Sequence, residues 1–168
     1  MLRMFIGSSR TFGFALCGFL IMDKTIRILD ANINRGREGL RVVEDLVRFV
    51  LDDVDLASQI KTIRHEVTSL ARQLSLNELE LLTARDSVGD VGMNLNCPSE
   101  DVRTGLSQIA TANIRRAQEA MRVLEEISKL YSANVAQGFK KLRFQLYGLE
   151  KEVLLKLMDT ERQTLCSG

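Results

Sequence analysis

An all-α fold, four-helix-bundle-like and made of two pseudo-symmetric helical hairpins, is what the sequence predicts. Three observations carry this. Apolar residues recur at three- and four-residue steps, no stretch alternates as a half-buried strand does, and one block of fifteen residues occurs twice. Composition agrees, with 45% hydrophobic and 27% charged residues and a single proline, Pro98, to interrupt a helix. A chain of 168 residues is expected to form one domain.

Residues 1–22 stand apart as an N-terminal extension. Arg3 and Arg10 precede an apolar run from Phe12 to Met22 that superficially resembles a signal peptide, but the run is too short to span a bilayer and lacks a small-x-small cleavage site. Met22-Asp23-Lys24 reads as a natural start just before a helix, with an extra packed helix and a targeting segment as the other readings of residues 1–22. The helical domain is then expected over 23–160, with a first hairpin at about 24–76, a connection at 77–98, a second hairpin at about 99–158, and a tail at 161–168.

From Ile26 to Val50, the positions Leu29, Ile33, Leu40, Val43, Val47 and Val50 make an apolar seam that includes Gly36. Asp52, Asp53 and Asp55 supply cap candidates for a second helix from about Leu56 to Leu74, which returns antiparallel to the first. The connection holds a short helical piece, NELELL, and the segment RDSVGDVG. Pro98-Ser99-Glu100-Asp101 reads as a helix start, with a third helix running to about Tyr131 and a fourth from about Asn134 to Met158.

The formal charge of +1 provides no field to draw in nucleic acid, yet 16 of the 23 basic residues are arginine. Arginine's rigid fork suits phosphate and carboxylate, so small anions are the expected partners. Cys17, Cys97 and Cys166 are odd in number and widely spaced, with one histidine in the chain, which points to a reducing, cytoplasmic setting and to no structural zinc. No membrane partner is expected.

The internal repeat is the most informative feature. ANINRGREGLRVVED from Ala31 aligns without gaps to ANIRRAQEAMRVLEE from Ala112, with eight of fifteen positions identical. The matched polar positions are Asn32 with Asn113, Arg35 with Arg116, Glu38 with Glu119, Arg41 with Arg122 and Glu44 with Glu125. The following helix repeats more weakly, KTIRHEVTSL against KKLRFQLYGL, pairing Arg64 with Arg143. Two hairpins that cannot each bury an apolar face alone bury both when packed about an approximate twofold axis.

At 100° per residue, Asn32 and Arg35 fall at the edge of the apolar sector with Gly39, Val42 and Leu46, aimed inward. Glu38 lies further round beside Arg41 and Asp45, while Arg37, Glu44 and Arg48 are expected on the wetter side. Gly36 and Gly39, matched by Ala117 and Ala120, leave room for a neighbouring helix or a ligand. The repeated polar set reads either as an internal network fixing helix register or as two symmetric halves of one anion pocket. In RDSVGDVG, Asp86 and Asp90 read as turn formers with Gly89 and Gly92 at positive φ, or else as carboxylates holding Mg²⁺ while the loop amides and Arg85 approach phosphate oxygens. His65 reads as a helix-surface residue. The chain has no GxxxxGK[ST], GxGxxG, HExxH or GxSxG pattern.

RILDANINRGREGLRVVEDLVRF, RDSVGDVG, ANIRRAQEAMRVLEE and KLRFQLYGLEK together resemble the small hydroxymethylpyrimidine-phosphate kinase family, over about residues 24–155. That family occurs alone or fused ahead of thiamine-phosphate synthase, and the absence of a synthase barrel here makes the standalone form the expectation. The resemblance implies a phosphomethylpyrimidine kinase with ATP and Mg²⁺ as cofactors. It would move the ATP γ-phosphoryl group onto 4-amino-5-hydroxymethyl-2-methylpyrimidine monophosphate in thiamine biosynthesis, without phosphorylating the free alcohol. It also implies a functional link to thiamine-phosphate synthase.

The resemblance carries no residue roles, so these are assigned on side-chain chemistry. The acceptor is already an anion, and transfer between polyanions demands charge neutralisation and positioning more than a general base. Arg35, Arg116 and Arg85, with Glu38 and Glu119, form the expected catalytic set. Asn32, Asn113, Arg64, Arg41, Arg122, Gly89 and Gly92 form the substrate- and ATP-binding set, and Asp86 and Asp90 are the expected metal ligands, with Glu38 or Glu119 as alternatives. The alternatives are a non-catalytic pyrimidine-phosphate-binding accessory domain of thiamine-phosphate synthase, an arginine-lined helical mutase, and a ligand-free structural bundle. The wide apolar sector of the first helix also permits a homodimer.

Overall fold

The computed structural model describes residues 10–74, 76–92 and 102–166, and among these are five helices and no strand. They are α1 (Arg10–Phe49), α2 (Val54–Arg72), α3 (Glu78–Ala84), α4 (Leu106–Ser128) and α5 (Ala133–Cys166).

The α1 seam is buried as its spacing predicts, with Leu29, Leu40, Val43 and Val47 fully inside. The turn out of α1 places Asp52 at φ 49°, a left-handed conformation that a short polar side chain tolerates. Asp53 then caps α2, its carboxylate accepting the Leu56 amide at 3.0 Å. Asn77 and Glu80 close a capping box at the start of α3. α4 begins after Gly105, which has no side chain to cap it. Glu161 of α5 serves instead: the Ser107 amide donates to Oε1 at 3.0 Å and the Ser107 hydroxyl to Oε2 at 2.7 Å.

α1 and α4 form the central pair. Gly36 faces Met121 while Gly39 faces Ala117, so the two helices run antiparallel, as an approximate twofold relation between the repeats requires. α2 packs on α1, α5 packs on α4, and α2 meets α5 to close the bundle. Phe139, Leu142 and Leu146 of α5 and Met121 and Leu124 of α4 fill the interior. Each such side chain contributes about 1.5–3 kcal/mol over its exposed state.

Several expectations change. α1 begins at Arg10 instead of near Ile26, because Met22-Asp23-Lys24-Thr25 contains neither proline nor glycine to stop a helix running through it. α5 continues past Met158 to Cys166, where Glu161 is held by α4. No described glycine has positive φ, so Gly89 and Gly92 do not adopt the expected left-handed turns. Glu44 is 3% exposed rather than on a wet face, because α2 covers that side of α1 and supplies Arg64 as its counter-charge. No described helix is long and apolar enough to cross a membrane. Cys97 and the expected helix start at Pro98-Ser99-Glu100-Asp101 lie outside the described residues.

Candidate functional site

The α1–α4 crossing positions the site. A Cβ on Gly39 would lie 2.6 Å from the backbone oxygen of Asn113, and one on Gly36 2.6 Å from Cε of Met121. The helices therefore approach closely, and the polar residues flanking the small ones are brought together across the seam.

There the structure opens a cavity of about 550 Å³. It is lined by Asn32, Arg35, Glu38, Gly39 and Val42, and by their five repeat partners Asn113, Arg116, Glu119, Ala120 and Val123. Five positions of each repeat thus line one cavity, of a size suited to a small molecule. Asn32 is buried, and its Nδ2 donates to the Ile28 carbonyl at 2.8 Å; the Asn113 Nδ2 donates to the Ile109 carbonyl at 2.9 Å. Each amide spends one N–H on its own helix, leaving Oδ1 and a second N–H for a ligand edge. The exposed Arg35, Arg116, Glu38 and Glu119 add two cations and two carboxylates. The wall combines amide recognition with bidentate donors for an anion.

The loop after α3 is fastened to α1. Arg85 clasps Asp30 bidentately, Nε and Nη2 each at 2.8 Å, and the hydrogen bond to Asp30 holds Arg85 further toward its charged form. Arg27 donates through Nη2 to the Asp86 carbonyl at 2.6 Å, with its Nη1 3.5 Å from Oδ2 of the same residue. A second cavity of about 400 Å³ lies between this loop and α1, and it shares Asn32 and Arg35 with the first.

Asp86 and Asp90, the expected Mg²⁺ ligands, each engage one carboxylate oxygen within the loop. Oδ1 of Asp86 accepts the Gly89 amide at 2.8 Å, and Oδ1 of Asp90 accepts the Gly92 amide at 2.9 Å. One oxygen of each carboxylate is thereby turned to an amide that was expected to face phosphate. Among the described residues no cluster of three or more histidine, cysteine, aspartate or glutamate side chains is placed to hold a metal ion.

Three expected binding residues point elsewhere. Arg64 pairs with Glu44 at 3.0 Å, and its repeat partner Arg143 pairs with Glu125 at 2.9 Å, so this repeated set ties the two helices of each hairpin together. Arg41 lies 3.5 Å from both Glu44 and Asp45, and Arg122 lies about as close to Glu125 and Glu126, at 3.1 and 3.0 Å. Arg85 grips Asp30, so of the expected catalytic arginines the main cavity receives Arg35 and Arg116 only. His65 is exposed on α2, away from the cavity. Sequence reasoning missed Arg27 and Asp30, the anchors of the loop. Their signal was weak, since the second repeat carries Gln108 and Thr111 at the matching positions.

Comparison with known proteins agrees with the repeat-bearing region as the informative part. The ThiD2 family matches residues 27–152. A thiamine-phosphate synthase of Nostoc punctiforme is 43% identical over 134 residues, 80% of this chain and 36% of that protein. The thiamine-phosphate synthase of Rhodopirellula baltica is 39% identical over 132 residues, covering 79% of this chain and 35% of its own length. That of Synechocystis is 41% identical over 128 residues, 76% of this chain and 36% of that protein. The chain thus spans about a third of the length of these curated relatives. No solved structure matches it.

One expectation is corrected by these matches. Relatives this similar over most of the chain are named thiamine-phosphate synthase and not phosphomethylpyrimidine kinase, so the kinase assignment does not stand. With both repeats and the connecting loop inside the matched span, the chain belongs to the ThiD2 family.

Proposed function

We propose that this chain is a ligand-binding module of thiamine biosynthesis. It holds a phosphorylated aminopyrimidine in the α1–α4 cavity and works with a thiamine-phosphate synthase. The observation that carries this reading is the convergence of Asn32, Arg35 and Glu38 with Asn113, Arg116 and Glu119 on one cavity. Amide edges suit the donor and acceptor pattern of an aminopyrimidine, guanidiniums suit its phosphate, and a carboxylate suits its exocyclic amine. The names of the relatives support the link to a synthase.

Isothermal titration with 4-amino-5-hydroxymethyl-2-methylpyrimidine monophosphate tests it, with a small dicarboxylate as competitor and Mg²⁺-ATP added in a parallel ADP-release assay. Binding of the monophosphate, without displacement by the dicarboxylate and without ADP release, is the expected result. Preference for the dicarboxylate, or no binding by folded protein, would remove the proposal, and ADP release on mixing would replace a holding role by a catalytic one.

A further inference from the structure

The two repeats give the main cavity near-twofold symmetry, whereas a phosphorylated ring has two different ends. Something must break the symmetry if the ligand is to lie one way round. Two observations do so.

The first is the loop-side chamber, which touches only the first repeat. It is lined by Arg27, Arg35 and Asn32 on α1 and by Gly89, Asp90 and Val91 on the loop. At the positions matching the loop anchors Arg27 and Asp30, the second repeat carries residues that turn to their own helix start. Gln108 replaces Arg27 and turns its Oε1 to the Thr104 amide at 3.1 Å, and Thr111 replaces Asp30 and donates to the Ser107 carbonyl at 2.8 Å. The second observation concerns the two cavity arginines. Arg116 is engaged by the protein, whereas Arg35 makes no hydrogen bond or ion pair with any described residue. Arg35 stands at the junction of both chambers with its donors unspent.

We infer that the chamber between α1 and the connecting loop is an anion subsite, taking the phosphate of a phosphomonoester beside Arg35 and Arg27 while the ring extends toward Asn113 in the main cavity. This rests on the reading of the α1–α4 cavity as the ligand site. The lining charges are two guanidiniums against one carboxylate, Asp90, whose Oδ1 is already turned to the Gly92 amide. Arg27 also holds the loop through the Asp86 carbonyl, so it shapes the chamber as well as charging it.

The test places a new charge without disturbing the core. Val91 lines the chamber and is 92% exposed, so Val91→Asp leaves packing intact while setting a carboxylate against the phosphate. Gln108→Glu puts a carboxylate at the matching position of the second repeat and keeps the acceptor for the Thr104 amide. Titrations use the aminopyrimidine monophosphate and its free alcohol on each folded variant. Val91→Asp is expected to weaken the monophosphate about fivefold, the effect of an added charge several ångströms away in a partly screened site, with the alcohol changed by less than about twofold. Gln108→Glu should leave both within about twofold. Equal weakening of monophosphate and alcohol by Val91→Asp, no weakening of either, or equal sensitivity to Gln108→Glu would overturn the assigned subsite while leaving the cavity reading intact. Failure of the unaltered protein to bind either compound would remove both.

Discussion

Replacing Gly39 by alanine tests whether the small-residue crossing sets the spacing of the central helices. The new Cβ would sit 2.6 Å from the Asn113 carbonyl oxygen, and relief to ordinary contact needs roughly 0.8 Å of movement. The obstacle is helix backbone, so α4 must shift as a body, at an overpacking cost of about 1–3 kcal/mol. Against this stands about 1 kcal/mol gained from replacing glycine inside a helix. The net is a loss of about 0–2 kcal/mol. Gly148 supplies the reference: no heavy atom lies within 4 Å of its added Cβ, so Gly148→Ala should be stabilised by about 1 kcal/mol. Gly36→Ala should fall between them, because its obstacle is the flexible end of Met121. Urea unfolding followed by circular dichroism at constant m-value ranks the three. If Gly39→Ala proves as stabilising as Gly148→Ala, the close approach of α1 and α4 is not what holds the cavity walls in place.

Further expectations follow from the caps and ion pairs. Glu125→Gln leaves Arg143 partly buried without its carboxylate and should cost about 2–3 kcal/mol in urea unfolding; a loss below 0.5 kcal/mol would mean that the pair merely decorates the surface. Asp53→Ala should cost about 1 kcal/mol through loss of the α2 cap, read in the same assay. Asp53 is held below its ordinary value of 3.8, first by the Leu56 amide and then by Lys156, and Glu161 below 4.5 by the Ser107 amide and hydroxyl. Depressed carboxylates stabilise the fold above those ordinary values and lose that contribution as pH falls through their folded ones. Stability should therefore drop below about pH 4.5, and the Asp53→Asn, Glu161→Gln double variant should flatten the drop; an unchanged acid limb would contradict this. Asp30→Asn weakens the Arg85 clasp and should speed proteolysis within residues 85–92 while leaving thermal unfolding nearly unchanged.

Much of the fold was legible because the same polar and apolar pattern is written twice. The seam of α1, the cap at Asp53 and the short helix at NELELL all follow from local chemistry, whereas the capping box at Asn77 was not read from the sequence. The burial of Glu44 did not follow, since a single helical wheel shows only one helix's own seam and not which flank α2 covers. The co-repetition of Glu44 with Glu125 and of Arg64 with Arg143 was the available sign that these four form two ion pairs. For the same reason the repeated arginines divided only in three dimensions: Arg35 and Arg116 reach the cavity, while Arg41, Arg122 and Arg64 turn to carboxylates on or near their own hairpin. The loop-side chamber was illegible because its anchors, Arg27 and Asp30, have no counterpart in the second repeat.

Stoichiometry tests the central claim most directly, because two repeats that build one cavity must bind one ligand between them. Titration of the aminopyrimidine monophosphate is predicted to saturate at one equivalent per chain, with Asn32→Ala and Asn113→Ala each weakening that single event about tenfold, the scale of one lost hydrogen bond to a ligand. Two equivalents per chain, or binding that survives either substitution unchanged, would contradict a shared site.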